Sequence, residues 1–134
     1  MLTIARCVHA LVLAALTMEA WVGLAFFDAS RLAGFAGIHR YISRVRQRDR
    51  SRTASAASVV WAVDEACVWY FKRAFCLQRS VVTTWMLRRH GLPASLVIGY
   101  RTVPFESHAW VELDGRIVND RPQYQKYFHV LERL

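Results

Sequence analysis

The sequence predicts an α+β fold in which helices come first and an antiparallel sheet follows. Apolar residues recur at helical spacing in two segments, Val59–Phe75 and about Leu77–His90. The pattern then changes to strands that flank Asp114-Gly115, a dipeptide typical of tight hairpin turns. This order is typical of a layered α+β architecture, and 134 residues are enough for one domain with a proper core. The predicted strands are Ala94–Arg101, Ser107–Leu113 and Arg116–Asp120.

The chain is basic, and nearly all of its positive charge comes from arginine. It has 18 Lys and Arg against 10 Asp and Glu, a formal net charge of +8, and Lys72 and Lys126 are its only lysines. Because arginine grips carboxylates and phosphates through forked hydrogen bonds, this composition fits a partner carrying those groups or an acidic peptide. It does not by itself indicate nucleic acid. With 6 Gly and 3 Pro, the composition excludes a low-complexity or disordered chain.

The most hydrophobic stretch is Ile4–Phe27, which raises the question of a membrane. Its longest uncharged run is Ala10–Met18, and Glu19 interrupts it, whereas a spanning helix needs about 20 apolar residues. Arg6 ahead of an apolar run also fits a signal peptide, but no A-x-A cleavage site follows. We therefore expect an amphipathic helix that packs on its own domain or on a partner, with peripheral membrane contact as the alternative.

Arginines are concentrated between Arg40 and Arg52, where six of them occur. Two interpretations stay open: a solvated helix end that runs into a linker, or a docking surface for an acidic peptide, a partner or a lipid headgroup. The Ser- and Ala-rich stretch Ser51–Ser58 predicts a joint. The sequence thus predicts an N-terminal helical, Arg-rich segment at residues 1–52, followed by a second unit at residues 53–134.

The register of the predicted hairpin decides which side chains face each other. A two-residue loop would place His108 opposite Arg121. A three-residue loop with a bulge shifts the pairing by one, so that Glu112 faces Arg116 and His108 faces Asp120. Only this second register pairs opposite charges across the strands, and we therefore prefer it.

The three cysteines do not form the pattern of a disulfide scaffold or a zinc site. Cys7, Cys67 and Cys76 are an odd set with wide spacing and no C-x-x-C, which favours a reducing compartment. Cys67 lies inside the apolar pattern of the first predicted helix and is expected to be a small buried thiol. Cys76 lies where the second helix begins, and there the backbone N–H groups and the helix dipole favour a thiolate.

Cys76, His108 and Asp120 supply the three parts of a nucleophilic triad. A histidine on an adjoining strand can take the thiol proton, and a carboxylate can fix its tautomer and stabilise the imidazolium. The spacing alone leaves an alternative open: a buried cysteine, a strand histidine and an aspartate near a turn. His90, followed by Gly91, is expected to end its helix and not to bind a ligand.

Five short runs, taken in order, resemble a known family. They are Phe75-Cys76-Leu77-Gln78-Arg79-Ser80, Leu87-Arg88-Arg89-His90-Gly91-Leu92-Pro93-Ala94, Val97-Ile98-Gly99-Tyr100-Arg101, Ser107-His108-Ala109-Trp110-Val111-Glu112 with Asp114-Gly115, and Val118-Asn119-Asp120. These runs resemble the leader peptidases of lasso-peptide biosynthesis, a transglutaminase-like, microcin-processing cysteine protease family, in its standalone form. The resemblance as a whole extends over about Val59–Asp120. Many members have Pro where this chain has Gln78.

The resemblance implies a papain-like or transglutaminase-like cysteine peptidase fold, with helices packed on an antiparallel sheet. It implies a protease that removes the leader from a ribosomally made precursor and frees the N-terminal amine of the core for macrolactam closure. By the same resemblance, Cys76 is the nucleophile, His108 the general base and acid, and Asp120 the carboxylate that orients the histidine.

The resemblance also implies partners. These are the precursor peptide, a small winged-helix leader-recognition protein and an ATP-dependent cyclase of the asparagine-synthetase type. Some family members carry the recognition domain in the same chain; because this chain has no room for it, we expect a separate protein. No Gly-rich phosphate loop is present, so we expect no nucleotide site, and we expect no cofactor and no metal. The expected location is the cytoplasm, with membrane contact through the N-terminal helix left open.

Two other functions are compatible with the sequence. One keeps the triad and transfers the acyl group to an amine, as transglutaminases do. The other is a binding module without enzymatic activity, in which the arginine run grips nucleic acid or an anionic membrane.

Overall fold

The computed structural model describes residues 2–45 and 53–134 of the chain. The longer helices are α1 (Leu2–Ser30), α2 (Gly34–Arg44), α3 (Ala56–Trp69) and α4 (Cys76–Arg89). The strands are β1 (Ser95–Thr102), β2 (Phe105–Leu113), β3 (Arg116–Ile117) and β4 (His129–Arg133), and the single-turn helix α5 (Tyr124–Tyr127) precedes β4. Most of the arginine run, residues 46–52, lies outside the described residues, and so does the start of the predicted joint.

The four strands form one antiparallel sheet in the order β3-β2-β1-β4, which confirms the predicted α+β class. Helix α4 lies against β2 and β1, and α1 and α3 pack on α4 and on each other. The main core is therefore formed between the helices and one face of the sheet. Its fully buried side chains include Leu24, Val59, Val63, Met86, Leu87 and Val111.

The first predicted helix, Val59–Phe75, is observed three residues earlier and ends sooner, at Ala56–Trp69. It begins earlier because the side chain of Ser55 accepts a hydrogen bond from the backbone N–H of Ser58, an N-cap that sets the first turn. It ends at Trp69 because Tyr70 turns toward α1, where its hydroxyl donates to Asp28 at 2.6 Å. The second predicted helix is correct to within one residue at each end.

The C-terminal half of α1 packs on the domain, as expected. Glu19, which interrupts the apolar sequence, accepts a hydrogen bond from Arg89 at 2.8 Å, and the imidazole of His90 lies 3.0 Å from its other oxygen. The glutamate therefore helps to hold α1 on the end of α4. The predicted division of the chain into an N-terminal segment, residues 1–52, and a second unit, residues 53–134, stays a prediction. The α1 side chains that enter the main core are Leu16, Ala20 and Leu24.

Helix α1 is also apolar on its exposed side, so it is not amphipathic in the sense expected from the sequence. The segment Thr3–Ser30 is long and apolar enough to cross a membrane by length and composition alone, with a mean hydropathy of 1.9 and 28% of the apolar window buried. Core helices of soluble proteins and signal sequences share these properties. The exposed apolar side chains of α1 include Ile4, Val8, Leu11, Val12, Met18, Trp21, Val22 and Phe26.

The preferred hairpin register is wrong. Leu113 pairs with Arg116, so the loop has two residues and not three. Asp114 and Gly115 both have positive φ, 52° and 75°, which is the geometry of a type I′ turn, and that turn matches the twist of a two-residue hairpin. The strand predicted to continue to Asp120 ends at Ile117, so the cross-strand pairing does not reach His108.

Candidate active site

The candidate nucleophile, Cys76, is the first residue of α4, and its side chain is half-buried. The residue before it, Phe75, is the N-cap and makes no side-chain hydrogen bond to the helix. At the start of α3, by contrast, Ser55 fills that role. The first turn of α4 therefore keeps backbone N–H groups that no capping side chain occupies, next to the Cys76 sulfur.

The surroundings of Cys76 favour the thiolate. Its interaction with the His108 side chain lowers the pKa of the thiol below the ordinary value, against the opposing effect of burial. The backbone N–H groups of Ala109 and Leu77 lower it further. Cys67, which lies on α3 in partly buried surroundings, is the opposite case, because burial raises the pKa of its thiol to about 11.

His108 lies on β2 opposite Gly99 of β1 and faces both other candidate residues. Its Nε2 atom donates to Asp120 Oδ2 at 2.9 Å, which leaves Nδ1 as the ring nitrogen for Cys76. The interaction with Cys76 raises the pKa of His108, burial opposes this, and Asp120 adds to the rise. The raised pKa of the histidine and the lowered pKa of the cysteine together favour a thiolate–imidazolium pair.

Aromatic rings hold the imidazole of His108 in place. Tyr124 of α5 meets it edge-on with a centroid distance of 4.6 Å, Phe128 lies at 5.7 Å, and Trp110 stacks at 6.3 Å. Tyr124 and Phe128 belong to a part of the chain in which the sequence predicted neither an element nor a site residue. Trp110 in turn needs Gly99, because a Cβ atom there would lie 2.6 Å from its ring.

Three donors converge on the carboxylate of Asp120. Its Oδ2 atom accepts from His108 Nε2 and from Arg79 Nη2, each at 2.9 Å, and its Oδ1 atom accepts from the backbone N–H of Arg121 at 2.9 Å. The sequence alone assigns Arg79 no role in the site. It lies three residues after Cys76, so helical spacing places it one turn further along α4, on roughly the same side.

Asn119 explains how Asp120 reaches His108 although the predicted register is wrong. Its side-chain oxygen accepts from the backbone N–H of Val111 at 2.8 Å, so a side chain continues the contact with β2 after β3 has ended. Its Nδ2 atom donates to Ser80 Oγ at 3.0 Å, and Ser80 donates to the carbonyl of Ala109 at 3.0 Å. These contacts fix the turn that carries Asp120 between α4 and β2.

A cavity of about 240 Å³ opens beside the start of α4. It is mostly apolar, and the described residues that line it include one charged side chain, Arg31. Because Phe75 and Leu77 line it, the cavity lies directly next to Cys76 along the chain. Its remaining lining residues are Phe27, Ile38 and Gln78.

Among residues 2–45 and 53–134, no group of three or more His, Cys, Asp or Glu side chains is close enough to hold a metal ion. Cys7, Cys67 and Cys76 are free thiols. The chemistry that this site can perform with its own residues is nucleophilic attack by a thiolate, assisted by an imidazole that a carboxylate orients.

A family model described as the transglutaminase-like superfamily matches residues 20–133. The chain belongs to this superfamily. The match contains Cys76, His108 and Asp120, and it also contains the C-terminal part of α1. The fold described above is consistent with it.

The chain is also similar to the microcin J25-processing protein McjB of Escherichia coli. The two sequences are 39% identical over 59 residues, which cover 44% of this chain and 28% of that protein. The matched part is thus less than a third of the relative's length. No solved structure matches the chain.

The two partly buried thiols of this superfamily member should differ strongly in reactivity. In a Cys7→Ser background at pH 7, we expect iodoacetamide to alkylate Cys76 at least about a hundredfold faster than Cys67, because a thiol with a pKa of about 11 is only about one part in ten thousand thiolate at that pH. Peptide mass spectrometry after timed quenching measures both rates. Equal rates would show that the site does not activate Cys76.

Proposed function

We propose that the protein is a cysteine endopeptidase that cuts the leader from a ribosomally made lasso-peptide precursor. The observation that carries this proposal is the arrangement of Cys76 at an uncapped helix start, beside a histidine that donates to Asp120 at 2.9 Å. The similarity to a microcin J25-processing protein supplies the substrate class. Cleavage would free the N-terminal amine of the core for macrolactam closure.

In the proposed mechanism, the Cys76 thiolate attacks the scissile carbonyl and forms a tetrahedral intermediate. The imidazolium of His108 then protonates the leaving amine of the core, which departs and leaves the leader as a thioester on Cys76. His108, now neutral, takes a proton from water, and the resulting hydroxide hydrolyses the thioester. Asp120 orients the ring and stabilises its charged form throughout.

Two features next to Cys76 support binding of a peptide. The backbone N–H groups at the start of α4 are suited to stabilising the oxyanion of the tetrahedral intermediate. The adjoining cavity, of about 240 Å³, is large enough for a side chain of the peptide near the scissile bond. Its apolar wall favours an apolar side chain, and Arg31 at its margin favours a nearby carboxylate.

We further propose a separate winged-helix leader-recognition protein as the partner that presents the precursor, and an ATP-dependent cyclase as the enzyme that uses the freed core. The exposed apolar side of α1 offers a surface for such a partner. We propose a cytoplasmic location, supported by three free cysteines, with contact between α1 and a membrane surface as the alternative.

Mass spectrometry of a lasso-type precursor tests the reaction. The precursor is incubated with this protein, the leader-recognition protein and dithiothreitol, with and without an added primary amine. We expect one cut, giving a core with a free amine and a leader with a free carboxylate. Reactions with the Cys76→Ala variant and without the recognition protein serve as controls.

The amine separates the proposed hydrolysis from the alternative, acyl transfer. An acyltransferase would give a leader that carries the amine as an amide at its new C-terminus, in an amount that rises with amine concentration. A precursor that stays intact, with a folded enzyme and a recognition protein that binds the leader, would contradict the peptidase proposal.

A further inference from the structure

Arg79 makes contacts that a helix-surface arginine does not need. One nitrogen, Nη2, donates both to Asp120 Oδ2 and to the backbone carbonyl of Asn119, each at 2.9 Å. The other, Nη1, lies 3.5 Å from Asp64 of α3. The guanidinium thus joins α4 to the turn that carries Asp120 and also approaches α3.

The side chain of Arg79 is oriented toward the turn that carries Asp120, even though this leaves one of its own donors without a partner among the described residues. Its Nε atom is buried and has no hydrogen-bond partner within the described part of the chain. The hydrogen bonds of this side chain are instead made by Nη2, at the Asp120 turn. The side chain is about a quarter exposed, at 28%, and the Asp120 side chain is less so, at 14%.

We propose that Arg79 is a positioning residue of the site, whose guanidinium holds the Asp120 carboxylate against His108 and thereby keeps the imidazole aligned with Cys76. Asp120 needs such a restraint because it lies two residues beyond Val118, whose N–H donates to the carbonyl of Val111 at 3.0 Å and makes the last backbone hydrogen bond to β2 on this segment of the described chain. Asn119 fixes the turn to β2, and Arg79 fixes the carboxylate itself. This inference rests on the proposed function.

The test uses Arg79→Gln and Arg79→Lys in the Cys7→Ser background. If Asp120 is released, the imidazolium loses its stabilisation, and the Cys76 thiolate in turn loses its partner. We therefore expect Arg79→Gln to lower kcat about 10- to 100-fold with little change in KM. We also expect the pH profile of Cys76 alkylation to move to higher pH. Arg79→Lys keeps the positive charge but loses the planar guanidinium with its two Nη donors. Its kcat and its alkylation profile should therefore lie between those of wild type and Arg79→Gln.

The Arg79→Lys variant distinguishes positioning from simpler roles. If Arg79 acted only as a nearby positive charge, Arg79→Lys would keep the wild-type kcat and the wild-type alkylation profile, because lysine keeps that charge. If its role were only structural, thermal unfolding would change without any shift. Either result would overturn the proposal. Arg89→Gln is the matched control, because Arg89 lies on the same helix and is ion-paired to Glu19, at the end opposite Cys76.

Two features keep this test independent. Alkylation needs no peptide substrate, so a precursor that stays intact would refute the peptidase proposal and leave the inference about Arg79 testable. If Arg79→Gln does not fold, Arg79→Lys carries the test, and an unchanged kcat and an unchanged alkylation profile in that variant would overturn the proposal.

Discussion

Replacing Cys76 with alanine should lower the rate of precursor cleavage by at least about a thousandfold, because it removes the thiol that interacts with His108 and forms the proposed thioester. The substitution removes one half-buried sulfur at the first turn of α4, so the thermal unfolding temperature should change by only a few degrees. The rate is measured as leader and core released per unit time by quantitative mass spectrometry, with circular dichroism to follow unfolding.

Cys67→Ala is the matched control for this loss. The Cys67 thiol packs at the edge of the main core, and its raised pKa keeps it protonated at neutral pH. Its removal should leave kcat within about twofold of wild type and lower the stability by about 1 kcal/mol through lost packing. If both alanine variants lost activity to the same degree, Cys76 could not be the nucleophile.

The local parts of the fold could be predicted from the sequence, because local signals determine them. Helix α4 was placed to within one residue, since Gly91 and Pro93 mark its end and apolar residues recur at helical spacing before it. The hairpin at Asp114-Gly115 was found for the same reason. The strand β4 gave no signal, because its exposed Val130 and Leu131 are consecutive and do not alternate.

The hairpin register could not be predicted, because the charge argument assigned Glu112 the wrong partner. Glu112 is buried on the sheet, where it forms an ion pair with Arg133 of β4 and accepts hydrogen bonds from Trp110 and Gln125. Arg133 lies 21 residues further along the chain. A pairing between Glu112 and Arg116 was therefore never needed to satisfy the glutamate.

The candidate site shows the same division between local and distant contacts. The sequence singled out Cys76, His108 and Asp120, and the structure brings His108 into contact with both of the others. It does so through Asn119 and Arg79, whose contacts join residues 8 and 41 positions apart. Such contacts leave no periodic pattern in the sequence, so the two supporting residues could be identified only from the structure.

Asp120→Asn should lower kcat by about a hundredfold or more, with a much smaller effect on KM. The carboxylate accepts from three donors, and its negative charge helps to raise the pKa of His108. An asparagine can still present one oxygen to His108 and Arg79, but its amide N–H₂ group would then face the N–H of Arg121, donor against donor. The imidazolium would also lose a neighbouring charge.

The pH profile identifies the cause of that loss. Asp120 raises the pKa of His108, so Asp120→Asn lowers it, and the alkaline limb of kcat/KM should move to lower pH as the imidazolium loses its proton earlier. Asp64→Asn is the matched control: Asp64 also faces Arg79, at 3.5 Å, but its side chain is half exposed and the structure shows no contact with His108. It should retain nearly the wild-type rate. Equal losses in the two variants, or an alkaline limb that does not move in Asp120→Asn, would remove Asp120 from its assigned role.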